Sequence, residues 1–179
     1  MRDKIIHKAA DMFITLGFKS VTMDDIAATM GISKKTIYAN FKNKPALVKE
    51  ATLAMFHVIS HGIDCISNQD KNPIEELYDI KKFVMMHLKD EKSSPQYQLQ
   101  KYYPEISNTL KELQFDTMQE CTLKNLRKGV NQGLYRANLN IEFASSLTIR
   151  SLRHLKAIAF TSSAFSREKV IVSLISIYA

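Results

Sequence analysis

Lys34, Lys35, Thr36 and Asn40 are the residues of this chain best placed by type and spacing to do chemistry. Lysine attracts phosphate, and threonine and asparagine can hydrogen-bond the edges of bases. Ile37 and Phe41, four apart, can face inward together with Tyr38, which leaves the four polar groups outside. A cationic, hydrogen-bonding face on a short helix is a surface that can enter a DNA major groove. The same spacing also fits an ordinary helical hairpin whose lysines face only water.

Other reactive side chains do not converge. Asp24-Asp25 and Glu75-Glu76 are adjacent acids that suit the charge preference of helix N-termini better than catalysis. His7, His57, His61, His87 and His154 are scattered, and there is no glycine-rich phosphate loop, Cys-x-x-Cys pair or nucleophile elbow. With no nucleophile, base and oxyanion donor brought together, neither an enzymatic role nor a cofactor is expected. His57, His61 and Cys65 are ligand types sharing one helix face. Three ligands on one straight helix drift in angle, so a semi-polar stripe lining a groove fits them better than a metal site.

The cationic face needs elements to position it. Thr22 is a good N-cap for a helix, with Asp25 three residues on as a short variant of the capping box. Ile26, Ala27 and Met30 form an apolar stripe, and Gly31 ends the helix where a left-handed residue is cheapest. Ile32 comes next as a buried anchor, and Ser33 caps the second helix of the pair. Upstream, Asp3 to Leu16 carries Ile5, Ile6, Ala9, Met12 and Phe13 at helical spacing; Gly17 closes it, and Phe18 and Val21 cover the hairpin. Three helices this short bury a limited core and must lean on helices later in the chain.

Residues 5 to 47 resemble the DNA-binding domain of the TetR family of bacterial transcription regulators. The resemblance runs through Ile5, Ile6, Ala9, Phe13, Gly17 and Phe18, then Thr22, Asp25, Ile26, Ala27, Gly31, Ile32 and Ser33. It finishes with Ile37, Tyr38, Phe41, Lys42, Lys44 and Leu47. Lys35 departs from a frequent glycine and adds a charge to the reading helix; Pro45 departs from a usual glutamate and is harmless in a first turn. The resemblance implies that Thr22, Lys34, Lys35, Thr36, Tyr38, Asn40 and Lys44 contact DNA. Tyr38 and Lys44 would hold phosphate, and a helix N-terminus at Lys44 favours phosphate in any case.

Composition agrees with a polyanionic partner: the net charge is +7 and the pI near 9.3. Residues 1 to 50 hold nine Lys/Arg against five Asp/Glu, so the basic excess is densest there. Hydrophobic residues make up 45%, with five glycines and four prolines, which argues for a sizeable helical core with short loops. Two cysteines, Cys65 and Cys121, give no disulfide framework, and the simplest setting is a reduced cytoplasm. No signal peptide and no membrane span is expected.

The rest of the chain continues in helices. Asn43 caps and Pro45 starts a helix to about Ser67 with Leu47, Ala51, Ala54, Val58 and Ile59 core-facing. Asn72, Pro73 and Glu75 start the next, PQYQLQKYY makes a short one, and Pro104 begins a long one to about Lys128. Ile141 to about Phe160 and Arg167 to Tyr178 complete the set; the last is apolar nearly all round and must be buried on several sides. The fold expected is all-α with about nine helices: a three-helix DNA-binding domain, 1–46, and a helical effector-binding and dimerisation domain, 47–179.

The resemblance implies a homodimer packed through its last two helices, and the surplus apolar surface there agrees. Leu147, Leu152, Leu155, Val170, Leu174 and Ile177 are the expected interface. An effector pocket is implied among the central helices. Its candidates are His57, His61, Met85, Met86 and Tyr97, together with Tyr102, Tyr103, Phe115, Met118 and Phe143. Their apolar bodies and few polar tips suit an apolar or aromatic small molecule, although the same residues also suit ordinary core packing. The expected partner is a palindromic duplex operator, released when the effector binds. A ligand-independent or activating DNA-binding protein of the same fold is the alternative.

Overall fold

The computed structural model describes residues 1–87, 95–147 and 149. Seven helices succeed one another: α1 (Arg2–Leu16), α2 (Met23–Met30), α3 (Lys34–Asn40), α4 (Lys44–Ser67), α5 (Pro73–His87), α6 (Pro95–Tyr102) and α7 (Pro104–Asn131). The backbone turns helical again over 141–147. The fold is all-α, with no strand among the described residues. The expected last helix, and the rest of the eighth, lie outside those residues.

Local signals in the sequence act where expected. The Thr22 hydroxyl accepts from the Asp25 N–H while the Asp25 carboxylate accepts from the Thr22 N–H, a complete capping box. Gly31 closes α2 at φ 64, ψ 30, the left-handed geometry in which a Cβ is costly. Ser33 Oγ accepts from the Thr36 N–H and caps α3. Asn43 Oδ1 accepts from the Ala46 N–H at the start of α4, and Asn72 Oδ1 from the Ile74 N–H at the start of α5.

Packing groups the chain into two compact units. Among the described residues, the first comprises those of Met1–Gly62 and Phe83–Gln114, and the second those of Ile63–Lys82 and from Phe115 onward. In the first, Ile5, Phe13, Val21, Ile26, Ile37, Phe41, Leu47 and Val48 are almost wholly buried in one cluster. Each large apolar side chain so buried contributes about 1.5–3 kcal/mol. Phe13 and Phe18 stack with centroids 5.2 Å apart. Arg2 lies over the Phe41 ring and pairs with Glu50, which ties the start of α1 to α4. The same cluster takes in Ala51 of α4 and Leu99 of α6, so the small N-terminal helices do lean on later ones. Val58 departs from the core side expected of it: it is half exposed.

The second unit has its own core of Leu126, Tyr135 and Ala144, with Ile74, Val130 and Leu134 against it. Inside it Glu76 is buried. Its carboxylate accepts from Asn125 Nδ2 at 2.9 Å and Lys128 Nζ at 3.3 Å. Asn125 Nδ2 also donates to the Pro73 carbonyl, and Tyr135 Oη donates to Asn125 Oδ1. A buried carboxylate is tolerable only when satisfied in this way. The sequence pattern places Glu75 and Glu76 together as helix-end charge; Glu75 alone of the two is exposed.

Candidate nucleic-acid interface

The cationic surface is built by α2, its tight turn and α3. Ile37 at 0% and Phe41 at 2% exposure anchor α3 inward, which fixes the direction of everything else on that helix. Tyr38 does not join them and is 46% exposed, so the outer face is wider than the apolar spacing alone implies. Lys34 and Lys35 are exposed, and Thr36 and Asn40 are half-buried.

These side chains differ in how free they are. Lys34 Nζ donates to Asp24 Oδ2 at 2.8 Å and stands 5.9 Å from the centroid of the Tyr38 ring. The Asp24 carboxylate holds the Lys34 ammonium above the ordinary lysine range, first by that hydrogen bond and then by charge. Lys35, one residue on, projects from α3 without such a clasp among the described residues. Asn40 Nδ2 donates to the Thr36 carbonyl at 2.8 Å, and the Thr36 hydroxyl is 2.8 Å from Ser33 Oγ. Both polar groups are thus held in place on the helix and keep their oxygens for further hydrogen bonds.

Thr22 and Lys44 sit at helix starts. The Thr22 hydroxyl donates to Asp25 Oδ2 at 2.8 Å as well as accepting from the Asp25 N–H. The Thr22 hydroxyl and N–H keep the Asp25 carboxyl below the usual range. Lys44 is half-buried; its Nζ donates to the Lys19 carbonyl at 3.3 Å and lies 6.0 Å from the Phe13 centroid. Burial pushes its ammonium down, and the nearby Asp25 charge opposes that. A partly desolvated ammonium at a helix N-terminus is a ready anion partner. Asp24 and Lys19 also take part in this surface, and sequence spacing does not point to either. No periodicity marks Asp24, ten residues ahead of Lys34, as its partner.

The residues expected to line a pocket are shared between the two units. His57, His61, Met86, Tyr97 and Tyr102 are exposed, and Tyr103 is half-buried; all belong to the first unit. Tyr103 packs on that unit's core, its ring 6.4 Å from Phe18. In the second unit Phe115 and Met118 are half-buried, and Phe143 is 67% exposed. Only the backbone of Met85 is described. Leu147, expected at a dimer interface, is 41% exposed. Leu152, Leu155, Val170, Leu174 and Ile177 lie outside the described residues.

Three comparisons bear on these features. Residues 5–51 match the family model for bacterial regulatory proteins of the tetR family. The chain is 31% identical over 78 residues to the biofilm operon icaADBC HTH-type negative transcriptional regulator IcaR of Staphylococcus aureus. That match covers 44% of this chain and 42% of IcaR, so the chain spans less than half the length of that relative. It is 26% identical over 149 residues to the HTH-type transcriptional repressor KstR2 of Mycolicibacterium smegmatis, covering 79% of this chain and 70% of KstR2. The fold matches the crystal structure of a transcriptional regulator from Cytophaga hutchinsonii. The TM-score is 0.81 at 16% identity, over 98% of this chain and 97% of the other.

Proposed function

We propose that this chain is a regulator of the TetR family, whose family model its residues 5–51 match, and that it is a sequence-specific DNA-binding repressor. It acts as a homodimer on a palindromic operator and is released from it by a small molecule. It is a regulator and not an enzyme. The observation that carries this reading is the capped α2–α3 pair, which buries Ile37 and Phe41 and leaves Lys35, Thr36, Tyr38 and Asn40 on the outward face. In this reading α3 enters the major groove, Lys35, Thr36 and Asn40 face it, with Thr36 and Asn40 on base edges, and Tyr38 and Lys44 hold phosphates. Lys44 Nζ donates to the carbonyl of Lys19, in the turn that precedes α2.

Repression, rather than activation, is supported by the names of two relatives, one a negative regulator and one a repressor. The dimer is supported by Leu147, a large apolar side chain of the expected interface that is exposed. Residues 1–46 would read DNA and the remainder would bind effector and pair the protomers. The effector would be mostly apolar or aromatic, and it must bind the DNA-incompetent form better, since only differential affinity moves an equilibrium. The test is binding of the full chain to duplexes selected from a random pool. The expected result is one enriched palindromic sequence with a steep salt dependence. A pool that yields no enriched sequence overturns the reading.

A further inference from the structure

Helix α6 is seated on the turn between α1 and α2 by several contacts of different kinds. Leu99 is buried in the core that α1, α2 and α3 share. Gln98 Oε1 accepts from the Lys19 N–H at 3.2 Å, and the Gln98 amide lies so close over Gly17 that a Cβ there would come within 2.7 Å of it. Gly17 also has φ 93, a conformation that selects against a side chain.

On this seat two lysines meet over one ring. Lys19 Nζ stands 5.5 Å from the Tyr102 centroid and Lys101 Nζ 5.6 Å. Lys101 is also 5.7 Å from the Tyr97 centroid. An exposed ammonium gains modestly from an aromatic face, but two on one ring repel each other. Among the described residues, the five ion pairs use Arg2, Lys34, Lys71, Lys124 and Lys128, and none neutralises Lys19 or Lys101. The pair is continuous with the proposed phosphate contact at the start of α4, because Lys44 Nζ donates to the carbonyl of Lys19 itself.

We infer that this edge, Lys19 of the α1–α2 turn with Lys101 and Tyr102 of α6, is a second DNA-backbone contact that holds phosphates flanking those reached by α3 and Lys44. The inference rests on the proposed function and extends it: a helix outside the three-helix domain takes part in holding the duplex. Charge complementarity selects an anion, and continuity with Lys44 selects DNA over a free anion. The lysine pair carries no base-reading geometry, so the contact adds affinity without changing sequence preference.

The experiment uses the full chain and an operator selected by it, as a long duplex and as one trimmed to the bases α3 protects. Lys101→Ala should weaken binding to the long duplex about three- to tenfold and lower the salt slope by about one unit. On the trimmed duplex wild type and variant should bind alike, and Lys101→Arg should restore the long-duplex affinity. Equal loss on both duplexes would overturn the inference, because the effect would then be a general one of charge or folding. Unchanged binding by Lys101→Ala, with Lys44→Ala weakened, would overturn it and leave the proposed function standing. So would a Lys101-dependent rise in melting temperature with inorganic phosphate but no change in DNA binding. Absence of salt-dependent binding by wild type would instead remove the proposed function itself.

Discussion

Asp24 sets how much of the charge on α3 is available. Its carboxylate holds Lys34 at 2.8 Å, both groups are exposed, and a DNA phosphate must compete with that acid for the lysine. Asp24→Asn frees Lys34 and removes a negative charge from the groove face, so operator affinity should rise about two- to fivefold with a steeper salt slope. The effect should largely vanish in a Lys34→Ala background, which a double-mutant cycle of affinities measures directly. Additive effects would mean that the clasp does not act through Lys34. Thr36 and Asn40 belong to another kind of residue. Each is fixed by a hydrogen bond to α3 or its cap, so replacing either with Ala should shift preference among operator variants, read by competition between duplexes. The polar face was legible from residue types at helical spacing. The division between a clasped Lys34 and an unclasped Lys35 was not, because it depends on a partner in another helix.

At the scale of elements, the start of α2 is the feature most open to a stability test. Thr22→Ala removes a reciprocal cap and should destabilise the protein by about 1 kcal/mol. The Asp25 carboxyl adds a pH dependence. Its folded value is depressed, chiefly by the Thr22 hydroxyl and N–H. Its contribution is therefore fully present above the unfolded carboxylate value of about 4, and is lost as pH falls through the folded value. Thermal melts of wild type and Asp25→Asn should differ at pH 7 and converge toward pH 3. Divergence on acidification would contradict the cap. Capping residues, Gly31 and the prolines opening α5, α6 and α7 were all readable in the sequence, since each acts on its own few neighbours. Glu76 was not. Its burial is set by Asn125 and Lys128, about 50 residues away along the chain, and short-range pattern carries no trace of that. Glu76→Ala removes the buried acceptor that Asn125 and Lys128 share, leaving each with one bond, to the Pro73 and Gln69 carbonyls. It should cost on the order of 3 kcal/mol in denaturant unfolding, far more than Glu75→Ala at the exposed neighbour.

At the scale of the whole molecule, the all-α architecture was legible in composition and helical periodicity. The way α6 joins the core of α1, α2 and α3 was not. Leu99 reads in sequence as one apolar residue in a polar helix, and only packing reveals that it completes the N-terminal core. In the proposed function this molecule grips duplex DNA through α3 and the start of α4. That grip is tested most directly by the salt dependence of operator affinity for wild type and Lys44→Ala. Wild-type affinity should fall steeply between 50 and 200 mM salt, by about a thousandfold if six phosphates are engaged. Lys44→Ala should lower the slope by about one unit and weaken binding about equally across sequences. A wild-type affinity that does not change with salt, or a Lys44→Ala variant with the same affinity and slope as wild type, would contradict the proposed grip.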